Sequence, residues 1–253
     1  MRPGLFFAVS QMIQSVSQHY AAHLSRVYSW MLGGVEAALK RGSVDLDTLC
    51  LQPKSGALAV DLGAGFGMHA IPLARRGYSV LAVDTDPALL DELSTHAHGL
   101  PIRPVVADLL NFRAHLNDAA DLIVCMGDTL THLSSPADVN SLVADVAASL
   151  TPDGVFVCTF RDYTQELSAE RRFIPVRSDR DRILTCFLEY ADQRVTVHDL
   201  LHERQDGQWS LSVSSYQKIR LAPGRVRAAL EHYEFQVTQS TTPGGMVCLI
   251  AQL

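Results

Sequence analysis

The residues best placed to do chemistry lie in "AVDLGAGFGMHAIPLA", residues 59–74. An apolar run ends in Asp61, and Gly63, Gly65 and Gly67 follow at alternate positions before the chain turns helical. Glycine has no Cβ and tolerates positive φ, so such a turn is tight and leaves room for a ligand beside the backbone. The competing reading is that the glycines only let a helix pack on a strand. Two more acidic residues recur at matching places. Asp84 ends the next apolar run, 21 residues after Gly63, where a carboxylate accepts both hydroxyls of a ribose. Asp108 ends the third run, where a carboxylate can take the amino group of an adenine. A pyrophosphate is poorly served. The dinucleotide fingerprint asks for Gly or Ala where Met68 stands, and the loop lacks the lysine of a P-loop. The pattern suits a nucleoside without phosphates and argues against a nicotinamide oxidoreductase.

Elements that position these residues are legible from periodicity. Residues 10–41 read as helical, with a break at Gly33-Gly34. Strands are expected at 57–61, 78–84, 102–108, 120–128 and 154–160. Between them fall helices at 68–76, closed by Gly77, and at Asp86-Pro87 and Ser135-Pro136, each an N-cap followed by proline in the first turn. Alternating strand and helix with short connections predicts an α/β doubly wound, mostly parallel sheet. Near-continuous apolar strands fit a sheet covered on both faces. After residue 170 the pattern changes to consecutive strands, with turns at "ADQR" and "RQDGQ", then a helix at "PGRVRAALEHY" and two closing strands.

The 253 residues suffice for one large α/β domain, read as a helical lid (1–50), a ligand-binding core (55–160), an inserted antiparallel meander (171–221) and a C-terminal helix with a strand pair (222–253). A formal charge of −6 gives no overall attraction for nucleic acid or an anionic membrane. The opening apolar run, Leu5 to Val9, is too short to span a bilayer, so a cytoplasmic protein is expected. Four of five cysteines (Cys125, Cys158, Cys186 and Cys248, with Cys50 apart) fall in strand-like runs, which reads as reduced core thiols rather than a metal or redox site. The histidines of "THAHG" read as a solvated helix end, and no metal site is expected.

In order and spacing, "VDLGAGFG", "LAVDTD", "VVADLLNF" and "ADLIVCMGD" resemble the cofactor motifs of class I S-adenosylmethionine-dependent methyltransferases. The resemblance covers about residues 55–160. It implies a Rossmann-like seven-stranded sheet completed by an antiparallel strand pair. It also implies S-adenosylmethionine as cofactor and S-adenosylhomocysteine as product. By this resemblance Gly63, Ala64, Gly65 and Gly67 cradle the methionine part, with Asp61 near its amino group directly or through water. Asp84 with Thr85 holds the ribose, Asp108 and Leu109 bracket the adenine, and Met126 closes the strand-four side.

"VYSWMLGG", "GDTLTHL" and "FRDYTQEL" are similar to elements of the glycine/sarcosine N-methyltransferase-like subgroup, whose G-N-S-x-x-H-L stretch follows the fourth strand. Position 128 is Asp here instead of Asn. This resemblance implies a small-molecule acceptor, with Arg161 pairing a substrate carboxylate and His132 orienting the substrate or taking its proton. A carboxylate at Asp128 favours a cationic or hydrogen-bond-donating acceptor. Tyr28 and Trp30 on the N-terminal helix offer aromatic faces to a sulfonium, and core packing is the alternative. The leading expectation is transfer to an amine nitrogen by in-line displacement. A non-catalytic cofactor-binding protein, an O-methyltransferase and a macromolecular methyltransferase stay open. The meander either covers the substrate or offers its edges to a homodimer.

Overall fold

The computed structural model describes residues 13–49 and 56–253; Leu5 to Val9, Cys50 and the first three residues of the expected N-terminal helix lie outside them. Its main sheet has seven strands in the order β10-β11-β5-β4-β1-β2-β3. They are β1 (Leu58–Leu62), β2 (Ser79–Asp84), β3 (Ile102–Val106), β4 (Ala120–Cys125), β5 (Leu150–Phe160), β10 (Gln236–Thr241) and β11 (Val247–Gln252). Strands β1 to β5 run parallel, and β11 pairs antiparallel with both β5 and β10. This is the doubly wound sheet that the alternation of elements predicts, with the C-terminal pair completing it.

Helices cover both faces. On one side α3 (Val35–Asp47), α4 (Ala70–Arg75) and α5 (Pro87–His96) pack over Ala59, Val80, Ala82 and Val124. On the other, α6 (Pro136–Ala147) and α7 (Pro223–His232) pack over Val60, Leu62, Ile123 and Phe156. Burying one such Val, Leu or Phe side chain is worth roughly 1.5–3 kcal/mol, so β1 and β4, apolar at nearly every position, must lie centrally. The edge strand β3 instead carries Pro104, whose missing N–H an edge tolerates. Both expected caps form: Asp86 accepts from the Ala88 and Leu89 N–H groups, and Ser135 from that of Asp138. Cys125, Cys158 and Cys248 are buried, Cys186 is partly buried, and all four are free thiols.

A second, antiparallel sheet holds β6 (Phe173–Ser178), β7 (Arg182–Tyr190), β8 (Arg194–Gln205) and β9 (Gln208–Ile219) in that order. The Asp206-Gly207 turn has both residues at positive φ, as its sequence demands. Strand β6, with a register shift between Pro175 and Arg177, carries no clear alternation and is not separately legible in the sequence.

The N-terminal segment departs most from expectation. It is no single helix. Helix α1 (Val16–His19) passes into a π turn (Tyr20–Leu24), a 3₁₀ turn (Ser25–Val27) and α2 (Tyr28–Met31) before Gly33-Gly34. A hydrogen-bonded network explains the irregular path. The fully buried His19 joins its Nδ1 to Ser214 Oγ at 2.8 Å and its Nε2 to Asp199 Oδ2 at 2.9 Å, and stacks on Tyr216 at 4.2 Å. The Gln14 N–H donates to the Ser215 carbonyl at 2.9 Å, so the segment begins as a bridge to β9. Fixing the start to one sheet and the end to the core forces the helix to change pitch.

Candidate functional site

The carboxyl ends of β1, β2, β3 and β4 open into one cleft. Doubly wound sheets bind ligands there because the crossovers diverge where the strand order reverses. It is lined by Gly63, Gly65, Asp84, Thr85, Asp108 and Leu109 together with Tyr20, Tyr28 and His132, Tyr28 lying against Gly65. The N-terminal segment roofs the cleft through Val16, Ser17 and Tyr20.

The glycines turn out to serve different ends. A Cβ on Gly63 would stand 2.5 Å from the Thr129 side chain, and one on Gly67 3.0 Å from Ile71 and Leu93. Those two positions need glycine for close packing as well as for φ of +80° and +93°. Gly65 differs: its φ is +52°, a Cβ there would meet only Tyr28 at 3.7 Å and Leu89 at 4.0 Å, and its N–H donates to Asp84 Oδ2 at 2.8 Å. The loop is thus tied to the carboxylate that ends β2, with its open side toward the cleft.

Asp84 also accepts from the Asp86 N–H through Oδ1 at 2.9 Å. Burial pushes its carboxyl up, opposed by the Asp86, Gly65 and Thr85 amides. A carboxylate has about four lone-pair sites, so it keeps acceptor capacity for a ribose. Asp108 caps the 3₁₀ turn Leu109–His115 through Oδ1, at 2.8 Å from the Leu110 N–H. It is exposed at the cleft mouth.

Asp61 is buried on β1 behind the glycine loop, and among the described residues its Oδ2 has no hydrogen-bond partner. Burial raises its carboxyl to about 6, with His69 opposing and Asp84 adding to the rise. The ionised form is therefore disfavoured in the folded chain. A carboxyl moved from 3.8 to about 6 corresponds to about 3 kcal/mol. Because the folded-state value lies above the unfolded one, Asp61 favours folding when protonated, and that contribution is lost as pH rises through about 6. Asp61→Asn is accordingly expected to stabilise the ligand-free protein at pH 8 by up to about 3 kcal/mol, with no gain below pH 4. Urea unfolding at the two pH values reads it, and an equal effect at both would exclude ionisation as the cause.

His132 ends the 3₁₀ turn Thr129–His132 after β4. Its ring sits edge-on to Tyr20 at 5.8 Å and to Tyr216 at 5.7 Å, and its Nε2 has no partner among the described residues. Burial first, then the Lys218 ammonium, lower it to about 3 against the pull of Asp128. At neutral pH it is an uncharged imidazole on the cleft wall.

Several expected site residues lie elsewhere. Asp128 does not line the cleft. It is buried at φ +75°, a left-handed position that Asn and Asp tolerate, and its oxygens accept from the Arg161 N–H (2.8 Å), Thr131 Oγ1 (3.0 Å), Tyr163 Oη (2.9 Å) and Lys218 Nζ (2.6 Å). Its charge is answered inside the protein, so it is not offered to an acceptor. Arg161 sends its N–H to Asp128, while its guanidinium is exposed and bonds no described residue. Trp30 is drawn away to the second sheet: its Nε1 donates to Asp179 Oδ2 at 2.6 Å, and Arg182 lies 4.5 Å over its ring. The Ala64, Gly67 and Met126 side chains or backbone shape the loops from behind the wall. Sequence reasoning missed Lys218, Tyr163 and Asp199. Only Lys218 left a signal, as a lone cation among the inward positions of β9.

Among the described residues, no helix is long and apolar enough to cross a membrane. A methyltransferase domain family matches residues 59–154. Among curated proteins, the chain is 29% identical over 125 residues to a glycine/sarcosine/dimethylglycine N-methyltransferase of Actinopolyspora halophila, covering 48% of this chain and 22% of that one. It is 32% identical over 129 residues to a ubiquinone biosynthesis O-methyltransferase of Caulobacter vibrioides, covering 49% and 48%. The chain thus spans less than half the length of these relatives. Among solved structures, an S-adenosylmethionine-bound amino pentose methyltransferase of Micromonospora echinaspora superposes with a TM-score of 0.74 at 16% identity, over 90% of this chain and 95% of that one. At that identity the likeness carries the fold. Residues 59–154, which hold the glycine loop and the paired carboxylates, thus match a methyltransferase domain family, and the chain shares its fold with S-adenosylmethionine-dependent methyltransferases.

Proposed function

We propose that the protein transfers a methyl group from S-adenosylmethionine to the amine nitrogen of a small molecule, its lid, core, meander and C-terminal pair acting as one unit. The observation that supports this best is the meeting, in one cleft, of a nucleoside-shaped wall with an uncharged imidazole whose Nε2 is unpaired. Asp84 would hold the ribose, Asp108 with the Leu109 backbone the adenine, and the Gly63–Gly65 turn the methionine part. The orphaned Asp61 Oδ2 would meet the amino group directly or through water. When bound, the cofactor supplies an electrophilic methyl on a sulfonium. Tyr28, beside Gly65 in the cleft, would give that cation an aromatic face.

The chain's own task is then positioning and exclusion of water. The lid turns Tyr20 into the cleft, and His132 Nε2 accepts a hydrogen bond from the attacking N–H and aims its lone pair. An imidazole lowered to about 3 is a weak base. It suits an amine that arrives neutral better than a hydroxyl that must be deprotonated, which supports the choice of nitrogen. Asp128, Arg161 and Trp30 have no direct part in this reading.

Titration calorimetry with S-adenosylmethionine and S-adenosylhomocysteine tests the first half. Micromolar binding of both is expected. A screen of small amines and hydroxyl compounds for transfer from labelled cofactor tests the second. Turnover confined to hydroxyl compounds would overturn the nitrogen assignment.

A further inference from the structure

Beneath the cleft, on the inner face of β9, Lys218 is buried to 7% exposure. Its ammonium lies 2.6 Å from Asp128 Oδ2 and 3.5 Å from the Tyr163 hydroxyl, and 5.7 Å from the Tyr163 and Tyr216 rings. Tyr216 thus touches both Lys218 and, edge-on at 5.7 Å, His132. Tyr163 donates to the same Asp128 oxygen that binds Lys218. The ammonium is held by Asp128 and Tyr163, and close by, among the described residues, His132 Nε2 has no hydrogen-bond partner.

We propose that Lys218 is a positioning residue for methyl transfer: clamped by Asp128 and Tyr163 under the cleft, its charge keeps His132 an uncharged hydrogen-bond acceptor. This rests on the function proposed above. The groups that face His132 agree with it. From the lid come His19 and Tyr20, from β8 Asp199, from β9 Tyr216 and Lys218, and from its own loop Asp128. Two of these, Asp128 and Asp199, are carboxylates that favour an imidazolium. Asp199 is already bonded by His19 and by the Cys186 thiol, and Asp128 by Lys218. Burial is the larger force against a charge on His132, and the Lys218 ammonium is the next. Without Lys218, Asp128 would present an unmatched negative charge, and the imidazole would take up a proton to meet it. A protonated His132 has no lone pair for the attacking nitrogen and would repel the sulfonium across the cleft. The same contact accounts for Asp at position 128: the left-handed turn admits Asn or Asp, and Lys218 is what makes the charged one tolerable.

The experiment is NMR titration of the His132 imidazole in the full chain, its signals assigned by their loss in His132→Gln. In the unaltered protein they should barely move between pH 8 and 4. In Lys218→Gln, which keeps a hydrogen-bond donor and drops the charge, the midpoint should rise by about 1–3 pH units and enter the measured range. Lys218→Arg should restore the flat titration. If Lys218→Gln does not fold, the uncharged pair Lys218→Met with Asp128→Asn carries the test, with a smaller rise expected. Lys218→Gln, or that pair, folded and titrating like the unaltered protein would overturn the proposal, as would Lys218→Arg titrating like Lys218→Gln. Calorimetry with S-adenosylmethionine, run alongside, separates the two levels: absent binding in the unaltered protein removes the methyl-transfer reading, whatever His132 does.

Discussion

Replacing Asp84 with alanine is expected to weaken S-adenosylmethionine binding at least about 100-fold in titration calorimetry. The carboxylate ends β2 at the cleft wall, held by the Gly65 and Asp86 amides and still able to accept from a ribose. Two charge-assisted hydrogen bonds are worth roughly 1.5–3 kcal/mol each. Their joint loss spans about two orders of magnitude or more. The alanine also frees the Gly65 N–H, so the loop proposed to hold the methionine part loses an anchor. Asp84→Asn keeps one acceptor oxygen and should fall between. Because burial pushes the Asp84 carboxyl up, affinity should decline toward acid pH sooner than an exposed aspartate would dictate, the ionised form being the one that accepts both hydroxyls. A loss below tenfold for the alanine variant would move the ribose to other residues.

His132→Ala is expected to lower kcat by about 100-fold or more while changing cofactor affinity by less than about threefold. The imidazole touches the cleft, not the glycine loop, and its free Nε2 is the atom that would hold the acceptor's nitrogen in line. The rings of Tyr20 and Tyr216 fix its plane, so little freedom is lost when an acceptor binds. Its lowered value predicts one further property. Turnover should show no inflection near pH 6.5 from this group, since it stays neutral down to about 3. Kinetics of both proteins with an amine that turns over, across pH 5.5–8.5, checks it. An unchanged kcat would take His132 out of the transfer step. A matched loss in cofactor binding would make it part of the cofactor site instead.

The cofactor side was legible in the sequence because its parts are local. A strand ending in Asp61, a turn that only glycines allow, and carboxylates at the ends of the next two strands are fixed by hydrophobic period and by residues that tolerate few backbone conformations. Once the strands are parallel and adjacent, their carboxyl ends share one edge, and Asp84 and Asp108 must come to one cleft. The same locality made the caps at Asp86 and Ser135 and the Asp206-Gly207 turn readable.

The acceptor side was not, because it is assembled by contacts between distant segments. Position 128 as Asp seemed to offer a charge to the substrate, yet Lys218, 90 residues later in the chain, meets that charge. Trp30 had the composition of a sulfonium cage and was captured by Asp179 and Arg182 of the second sheet. The N-terminal helix read as regular because its period is helical, but His19 bonds Asp199 and Ser214, 180 and 195 residues away, and the backbone changes pitch to reach them. By itself, then, the sequence determined the sheet, the glycine turn and the carboxylates at the strand ends, since local propensity and periodic burial specify them. Only the tertiary structure decided which charges are answered within the protein and which polar atoms are left for a ligand, because that balance depends on partners no spacing reveals.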